Sequence, residues 1–224
     1  MIEFLFLDLD DTILDFHKAE RIALSKTIAD FGVEPTVHVL HRYHLINKAH
    51  WERLERKELT RPQVLLGRFE TLFREYGIEV DPAKCASLYE ENLSIGHYFL
   101  PGAEEAVATL SKKYRLFIAS NGNAAVQTPR MANSGLNRYI EQAFISEALG
   151  ENKPSKAYFD LCFSRIDGFD PKKAIMVGDS LTSDIQGGIN AGIPTCWFNP
   201  TGKANTSGIC PNYEIKALSE LEAL

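Results

Sequence analysis

Cysteine is scarce in this 224-residue sequence, and long apolar segments are missing. The four cysteines form no Cys-x-x-Cys pair, which argues against a zinc site and against a disulfide-stapled fold. They are Cys85, Cys162, Cys196 and Cys210. The apolar stretch 2–7 contains Glu3 and ends at Asp8, so it is too short and too polar for a secretory signal or a membrane span. We therefore expect a cytoplasmic protein that does not bind membranes.

Runs of basic residues are also missing. The chain has 24 Lys and Arg against 30 Asp and Glu, a formal net charge of −6, which argues against a nucleic-acid polymer as partner. Hydrophobic residues make up 45% and charged residues 24% of the sequence, as in ordinary folded proteins. The length predicts one domain with a large insert or two small domains. No pattern in the sequence indicates an oligomeric state.

Short apolar runs that end abruptly at polar residues predict strands buried on both faces. They lie at 2–7, 116–119, 143–145 and 174–177, with two further strands at 194–198 and 212–215. Helical patterns at 103–114, 155–166 and 181–191 alternate with the later strands, and 218–224 resembles a closing helix. This alternation predicts an α/β fold with a Rossmann-like parallel sheet, which binds ligands at the carboxyl ends of its strands.

The region after the first strand breaks the alternation, because four helical patterns follow one another without a strand. Thr60-Arg61-Pro62 and Asp81-Pro82 are helix starts, and glycines at 32, 77 and 96 fall at helix ends. We therefore predict a sheet domain formed by residues 1–16 and 97–224, interrupted by a helical domain at 17–96. The helical domain either only completes the core or covers a ligand.

Two acids follow the first predicted strand, in the run Asp8-Leu9-Asp10-Asp11-Thr12. Residues two apart at a strand end point to the same side, so the carboxylates of Asp8 and Asp10 can meet beyond the sheet. Their repulsion raises one pKa or requires a cation, which indicates acid-base chemistry or a divalent metal with oxygen ligands. A plain turn is the alternative, because Asp and Thr favour turns.

Further polar residues stand where the alternation places other strand ends. They are Ser120-Asn121 after strand 116–119, Lys153-Pro154 before helix 155–166, and Asp179 with Asp184 after strand 174–177. Each alone has a structural explanation as a helix cap, a loop cation or a first-turn acid. Occurring together at successive strand ends, they indicate that a hydroxyl, an ammonium and several carboxylates converge on one site.

These four stretches, in this order, resemble the haloacid dehalogenase-like hydrolases over nearly the whole chain. The helical insert resembles the mobile cap that confers specificity in that family. One departure is Asp11, which stands where many members have glycine. Within the family the sequence is most similar to phosphatases of nucleoside 5′-monophosphates, including pyrimidine nucleotides. The stretches that carry this likeness are 47–48 with Trp51, 67–70, 145–147, 176–180, 183–192 and 195–197.

The resemblance implies hydrolysis of a small phosphorylated metabolite with Mg²⁺ as cofactor. We predict that Asp8 attacks phosphorus to form an aspartyl-phosphate. Asp10, protonated at first, would protonate the leaving oxygen and later activate water. The implied Mg²⁺ ligands are Asp8, Asp179 and the backbone carbonyl of Asp10.

The remaining core residues would bind phosphate or orient other groups. Ser120 and its neighbour Asn121 would hold one phosphoryl oxygen and Lys153 another. Asp184 is predicted to orient Lys153 or a water on the metal, outside the direct ligands.

The helical insert would supply the pocket for the rest of the substrate. Trp51 and Phe69 could stack on a base, although aromatic residues on amphipathic helices usually pack inward. Further candidate substrate residues are Phe16, His17, Asn47, Lys48 and Arg68. Histidines at 17, 38, 41, 44 and 50 suggest a second metal site, but no carboxylate partner is evident, and we do not predict one.

Three other functions compete with this prediction. A sugar-phosphate or phosphoglycolate phosphatase, or a phosphosugar mutase, would share the core and differ in the cap. A halide-removing enzyme is disfavoured, because Asp10 and Asp179 have no use in metal-free displacement of halide. A receiver-type phospho-acceptor also uses Asp, a hydroxyl, Lys and Mg²⁺, but it is about half as long and lacks an acid at the position of Asp10.

Overall fold

A single parallel sheet of six strands forms the core of this computed structural model, which describes residues 1–223. The strands are β1 (Phe4–Leu7), β2 (Arg115–Ser120), β3 (Gln142–Ile145), β4 (Ala174–Gly178), β5 (Thr195–Phe198) and β6 (Tyr213–Ile215). Their order in the sheet is β3-β2-β1-β4-β5-β6, and every neighbouring pair is parallel. This confirms the predicted Rossmann-like sheet.

The sheet is covered on both faces, which explains why its strands are continuously apolar. Along β1, Leu5 and Leu7 pack into one buried cluster, whereas Phe4 and Phe6 pack into the other. Successive side chains of a strand point to opposite faces, so a strand with helices on both sides needs no polar position.

Five helices belong to the sheet unit: α5 (Ala103–Leu110), α6 (Ala124–Ser134), α7 (Ser146–Leu149), α8 (Lys156–Phe163) and α9 (Gln186–Ala191). The predicted helices at 103–114 and 155–166 are shorter than expected. The segment predicted as one helix at 181–191 is a π-helical turn, Leu181–Ile185, followed by α9. The closing helix is a 3-10 segment, Leu218–Ala223, and Leu224 lies outside the described residues.

Helix α6 was not predicted, because it contains Pro129, which lacks the N–H for an interior helical hydrogen bond. Its ends nevertheless carry the usual signals. The Asn123 side chain caps its N-terminus, and Gly135 ends it in the left-handed conformation.

Four helices form the second unit: α1 (Phe16–Asp30), α2 (Val37–Glu55), α3 (Arg61–Tyr76) and α4 (Pro82–Ile95). Thr60 and Asp81 cap α3 and α4 as predicted. The aromatic rings of Tyr43, Phe69 and Tyr89 meet inside this unit, with centroids 5.1 to 5.5 Å apart.

Compactness divides the chain at nearly the predicted positions. One unit is Met1–Asp15 with His97 and the residues after it, and the other is Phe16–Gly96. Phe16, predicted to close the first segment of the sheet domain, is the first residue of α1. Among the described residues, no helix combines the length and apolarity that a membrane crossing requires.

Candidate active site

The carboxyl ends of three neighbouring strands carry the predicted catalytic groups. Asp8 follows β1, Ser120 ends β2 and Asp179 follows β4, and β1 lies between the other two strands. After β1 the chain forms β2 on one side of β1 and later forms β4 on its other side, so the strand order reverses at β1. Ligands bind parallel sheets in the crevice at such a reversal.

Lys153 joins three parts of the chain at this edge. Its Nζ donates to Asp8 Oδ1 at 2.7 Å, to Asp184 Oδ1 at 2.6 Å and to the Ala119 carbonyl oxygen at 2.5 Å. The side chain is 1% exposed. Although burial alone would lower the pKa of Lys153, the carboxylates of Asp184 and Asp8 hold it above its usual value. Lys153 is therefore a charged ammonium beside the predicted nucleophile.

Three acids crowd together at the same edge. Carboxylate oxygens of Asp8, Asp179 and Asp184 lie within 4.8 Å of one another. Burial raises the pKa of Asp8 to about 8, and the nearby Asp184 and Asp10 add to this effect against the opposing charge of Lys153. Burial, with Asp184 and Asp8, also raises the pKa of Asp179 well above its usual range. A dication with oxygen ligands would relieve this repulsion, so the donor set fits Mg²⁺.

Asp184 is already engaged on both carboxylate oxygens. Oδ1 accepts from Lys153, and Oδ2 accepts from the Ser180 backbone N–H at 3.0 Å. These contacts favour its predicted role of orienting Lys153. Gly178 allows this approach, since a Cβ there would lie 2.1 Å from Asp184 Oδ2.

The turn after β1 explains the departure at Asp11. Asp11 has φ +57°, in the left-handed region, and its N–H donates to the Leu14 carbonyl at 2.7 Å. Glycine adopts this conformation freely, and Asp is among the other residues that tolerate it. The position therefore accepts either residue. Next to it, buried Thr12 Oγ1 accepts from the Asp179 N–H at 3.2 Å and links β1 to the end of β4.

Ser120 and Asn121 have different tasks at the end of β2. Ser120 is buried, and its Oγ accepts from the Gly122 N–H at 3.1 Å and from Gln127 Nε2 at 3.0 Å. The Asn121 side chain bonds to both backbone groups of Lys153, at 2.8 and 2.9 Å, and to Ser183 Oγ at 3.1 Å. The Asn121 side chain therefore holds the Lys153 loop in place, and the phosphate contact predicted for Asn121 is one of its backbone N–H.

Asp10 is held by two residues that sequence reasoning missed. Arg130 Nη1 lies 2.5 Å from Asp10 Oδ1, and Gln127 Nε2 donates to Asp10 Oδ2 at 2.6 Å. Donors on both oxygens fix the orientation of the Asp10 carboxyl group. Both residues lie on α6, the helix that was not predicted. The Asn123 cap and the spacing of Gln127 and Arg130 were the available signals.

The structure corrects two of the candidate substrate residues in the helical unit. Phe69 is fully buried between Tyr43 and Tyr89, so it cannot stack on a base without repacking that core. Arg68 is 2% exposed; it donates to Asn47 Oδ1 at 3.1 Å, and its guanidinium lies 4.9 Å from the Tyr89 ring centroid.

The other candidates in this unit are more varied. Asn47 is buried and donates to Glu20 Oε1 at 2.8 Å. Trp51 is half-buried, with the Arg61 guanidinium 5.5 Å from its ring centroid. Lys48 is exposed near Glu52, Phe16 is half-buried and His17 is exposed.

Glu20 also supplies a carboxylate that the histidine pattern did not reveal. His44 Nδ1 lies 2.7 Å from Glu20 Oε2, and the His17 and His44 rings have centroids 4.4 Å apart. The statement that no carboxylate joins these histidines was wrong, because Glu20 lies on α1 and His44 on α2, 24 residues apart in sequence.

The chain is similar to known proteins over almost its whole length. The family model for haloacid dehalogenase-like hydrolases matches residues 2–192. Pyrimidine 5′-nucleotidase PynA of Streptococcus pneumoniae (strain ATCC BAA-255 / R6) is 40% identical over 220 residues, covering 98% of this chain and 93% of PynA. Pyrimidine 5′-nucleotidase YjjG of Escherichia coli (strain K12) is 32% identical over 222 residues, covering 99% of this chain and 97% of YjjG. A crystal structure of the HAD-hydrolase YfnB of Bacillus subtilis bound to magnesium has a TM-score of 0.94 at 39% identity, covering 99% of this chain and 97% of that one.

Proposed function

The chain belongs to the haloacid dehalogenase-like hydrolases and is a phosphatase of that family, and we propose that it hydrolyses nucleoside 5′-monophosphates through an aspartyl-phosphate on Asp8. The observation that carries the proposal is the buried Lys153 ammonium between Asp8 and Asp184, beside Asp179. Two relatives named pyrimidine 5′-nucleotidases, each similar over almost the whole chain, support a nucleotide as substrate.

Asp8 is the nucleophile in the first proposed step. Attack on phosphorus by an anionic carboxylate is opposed by the charge of the phosphate, so the site has to lower that repulsion. Lys153 does so from one side while keeping Asp8 in place. Mg²⁺, held by Asp8, Asp179 and the Asp10 carbonyl, would neutralise phosphoryl oxygens and favour the ionised form of Asp8.

Ser120 supplies the neutral donor for a phosphoryl oxygen. The hydroxyl stands at the end of β2, the strand next to β1, within the same crevice. Because it is buried, its hydrogen bond to a phosphoryl oxygen would be stronger than one made in water.

Asp10 transfers protons in both steps. A proton on Asp10 is needed when the alkoxide leaves, and the carboxylate form is needed when water attacks the aspartyl-phosphate. The contacts to Arg130 and Gln127 hold the Asp10 carboxyl group in one orientation. Hydrolysis of the intermediate then regenerates Asp8.

The helical unit Phe16–Gly96 is proposed as the cap that selects the nucleoside. The crystal structure of YfnB is described as revealing interdomain movement, as a cap that opens and closes would show. Trp51 and Phe16 are the half-buried aromatic candidates among those predicted, whereas Phe69 is fully buried. Lys48 and His17 are the exposed candidates in the same unit.

A phosphate-release panel tests the substrate. Pyrimidine and purine nucleoside 5′-monophosphates, ribose 5-phosphate, 2-phosphoglycolate and 4-nitrophenyl phosphate would be compared with Mg²⁺ and with EDTA. We expect the nucleotides to exceed ribose 5-phosphate by at least about tenfold in kcat/KM, which corresponds to about 1.4 kcal/mol of binding to the base. Faster turnover of ribose 5-phosphate or 2-phosphoglycolate would favour the sugar-phosphate alternatives.

The matched control for chemistry is Asp8→Asn, which is nearly isosteric. It should abolish turnover while keeping the thermal unfolding transition cooperative. Acid-quenched enzyme mixed with ³²P-labelled substrate should carry label only when Asp8 is present. Label that persists for minutes in the wild type would instead favour a phospho-acceptor protein.

A further inference from the structure

Helix α6 projects two buried polar side chains toward the site from the same face. Gln127 and Arg130 are three residues apart, the spacing that places side chains side by side on a helix. They are 2% and 0% exposed. Neither belongs to the four stretches that define the family resemblance, yet both contact Asp10.

The orientation of the Gln127 amide is fixed by its three partners. Nε2 has two hydrogens and donates to Asp10 Oδ2 at 2.6 Å and to Ser120 Oγ at 3.0 Å. Oε1 accepts from Arg130 Nη1 at 2.7 Å. A flipped amide would place its oxygen against the Asp10 carboxylate and its NH₂ against a guanidinium, so only this orientation is compatible with all three neighbours.

Gln127 also determines which way the Ser120 hydroxyl points. A hydroxyl oxygen has two lone pairs and one proton. The lone pairs of Ser120 accept from the Gly122 N–H and from Gln127 Nε2, so its proton is the group left to donate. Gly122 makes room for this contact, since a Cβ there would lie 2.4 Å from Gln127 Nε2.

We propose that Gln127 and Arg130 are positioning residues that hold the Asp10 carboxylate and direct the Ser120 hydroxyl toward the phosphoryl group. The inference rests on the proposed phosphatase reaction. Gln127 links the general acid-base residue to the phosphate-binding hydroxyl. Arg130 balances the charge of Asp10 and fixes the amide of Gln127.

A role in stability alone does not account for this arrangement. Replacing a buried ion pair by well-packed apolar residues is often neutral or stabilising. A Leu or Met at position 130 would fill the interior at least as well as a guanidinium. In this ion pair the Arg130 side chain is buried, whereas the Asp10 side chain is 26% exposed and faces the reaction site.

The test compares Gln127→Leu, Arg130→Met and Arg130→Lys with two controls on α6. Val126→Ala removes buried apolar volume next to Gln127, and Thr128→Ala changes an exposed residue. We expect Gln127→Leu and Arg130→Met to lower kcat by about 10- to 100-fold, the size of effect that misplacing a catalytic group produces, with KM changed by less than about threefold. Val126→Ala should lower Tm but keep kcat, and Arg130→Lys should retain more activity than Arg130→Met.

A rapid-quench experiment with 4-nitrophenyl phosphate separates positioning from general damage. Nitrophenolate leaves without protonation, so Gln127→Leu should slow the first step only through Ser120, whereas attack by water also needs Asp10 in position. The variant should therefore release one equivalent of nitrophenolate in a burst and then turn over slowly. Equal kcat losses in Gln127→Leu and Val126→Ala, or the absence of a burst in Gln127→Leu, would overturn this inference while leaving the proposed function intact. No hydrolysis by the wild type would overturn both.

Discussion

Lys153 provides the sharpest test of the charge balance at the site. Lys153→Met keeps most of the side-chain length but removes the ammonium from Asp8, Asp184 and the Ala119 carbonyl. The variant leaves two buried carboxylates facing each other, 7% and 1% exposed, without their common cation. Loss of one partner of a buried ion pair costs about 3–5 kcal/mol, because the remaining charge is uncompensated.

A second substitution should recover part of that loss. Asp184→Asn in the Lys153→Met background removes one of the two uncompensated charges while keeping the side-chain shape. The double variant should therefore be less destabilised than the sum of the single variants, with a coupling energy of about 0.5–3 kcal/mol. A domain with total stability of about 5–15 kcal/mol can tolerate this and still fold.

Urea denaturation of the four proteins in EDTA at pH 9, above the pKa of about 8 for Asp8, would measure the cycle. The matched control is Lys156→Met, which removes an exposed ion pair with Asp160, 62% and 54% exposed, and should cost under about 1 kcal/mol. A loss in Lys153→Met no larger than in Lys156→Met, or strict additivity in the double variant, would show that the site does not depend on this charge balance.

Other predictions concern the turn, the metal and the cap. Asp11→Ala should lower the free energy of unfolding by about 1–2 kcal/mol in urea denaturation, because the φ of +57° at this position disfavours a β-carbon without a polar group. Asp11→Gly should be tolerated, and equal losses in the two variants would contradict the conformational explanation. Folding raises the pKa of Asp8 to about 8. In the metal-free protein, Asp8 should therefore contribute most to stability below about pH 4, and this contribution should be lost as the pH rises toward 8. Mg²⁺ competes with the proton, so the rise in Tm that it causes should be larger at pH 8.5 than at pH 6; the reverse order in thermal melts would refute an ionised Asp8 as ligand. Trp51→Ala should raise KM for nucleotides and leave 4-nitrophenyl phosphate unaffected, whereas equal losses on both would indicate a damaged cap.

The strands and the strand-end residues could be predicted because their signals are local. A strand buried on both faces must be continuously apolar, and its end is marked by the first polar residue, as at Leu7 and Asp8. The parallel alternation then predicts that successive strand ends share one edge. Asp8, Ser120 and Asp179 follow from that argument without knowledge of any contact, whereas Lys153 lies after α7, beyond the end of β3.

The contacts between distant helices could not be predicted in the same way. Whether Phe69 faces inward or outward depends on the positions of Tyr43 and Tyr89, which a helical period does not give. The same holds for Glu20 and His44, since partner choice between two helices depends on their packing. Aromatic and charged residues on amphipathic helices are therefore the least secure predictions from sequence.

The missing helix α6 had a larger consequence, because it carries the partners of Asp10. Pro129 interrupts the pattern that would have revealed the helix, and Gln127 and Arg130 stand on either side of it. Without them Asp10 looked like an isolated acid beside Asp8, for which protonation was the natural relief of repulsion. The structure instead places the Arg130 guanidinium beside the Asp10 carboxyl group.

The charges at the strand ends fit the dication of the proposed reaction. Four carboxylates converge there, Asp8, Asp10, Asp179 and Asp184, and the structure provides one buried ammonium and one buried guanidinium against them. Two negative charges remain, which is the charge that a single Mg²⁺ balances. Arg130 forms an ion pair with Asp10, and Lys153 forms ion pairs with Asp8 and Asp184. Among these four acids, Asp179 is the one without a cation in a side-chain ion pair. In the proposed reaction the nucleophile Asp8 and the acid-base residue Asp10 thus have fixed cationic partners, and the metal would neutralise Asp179.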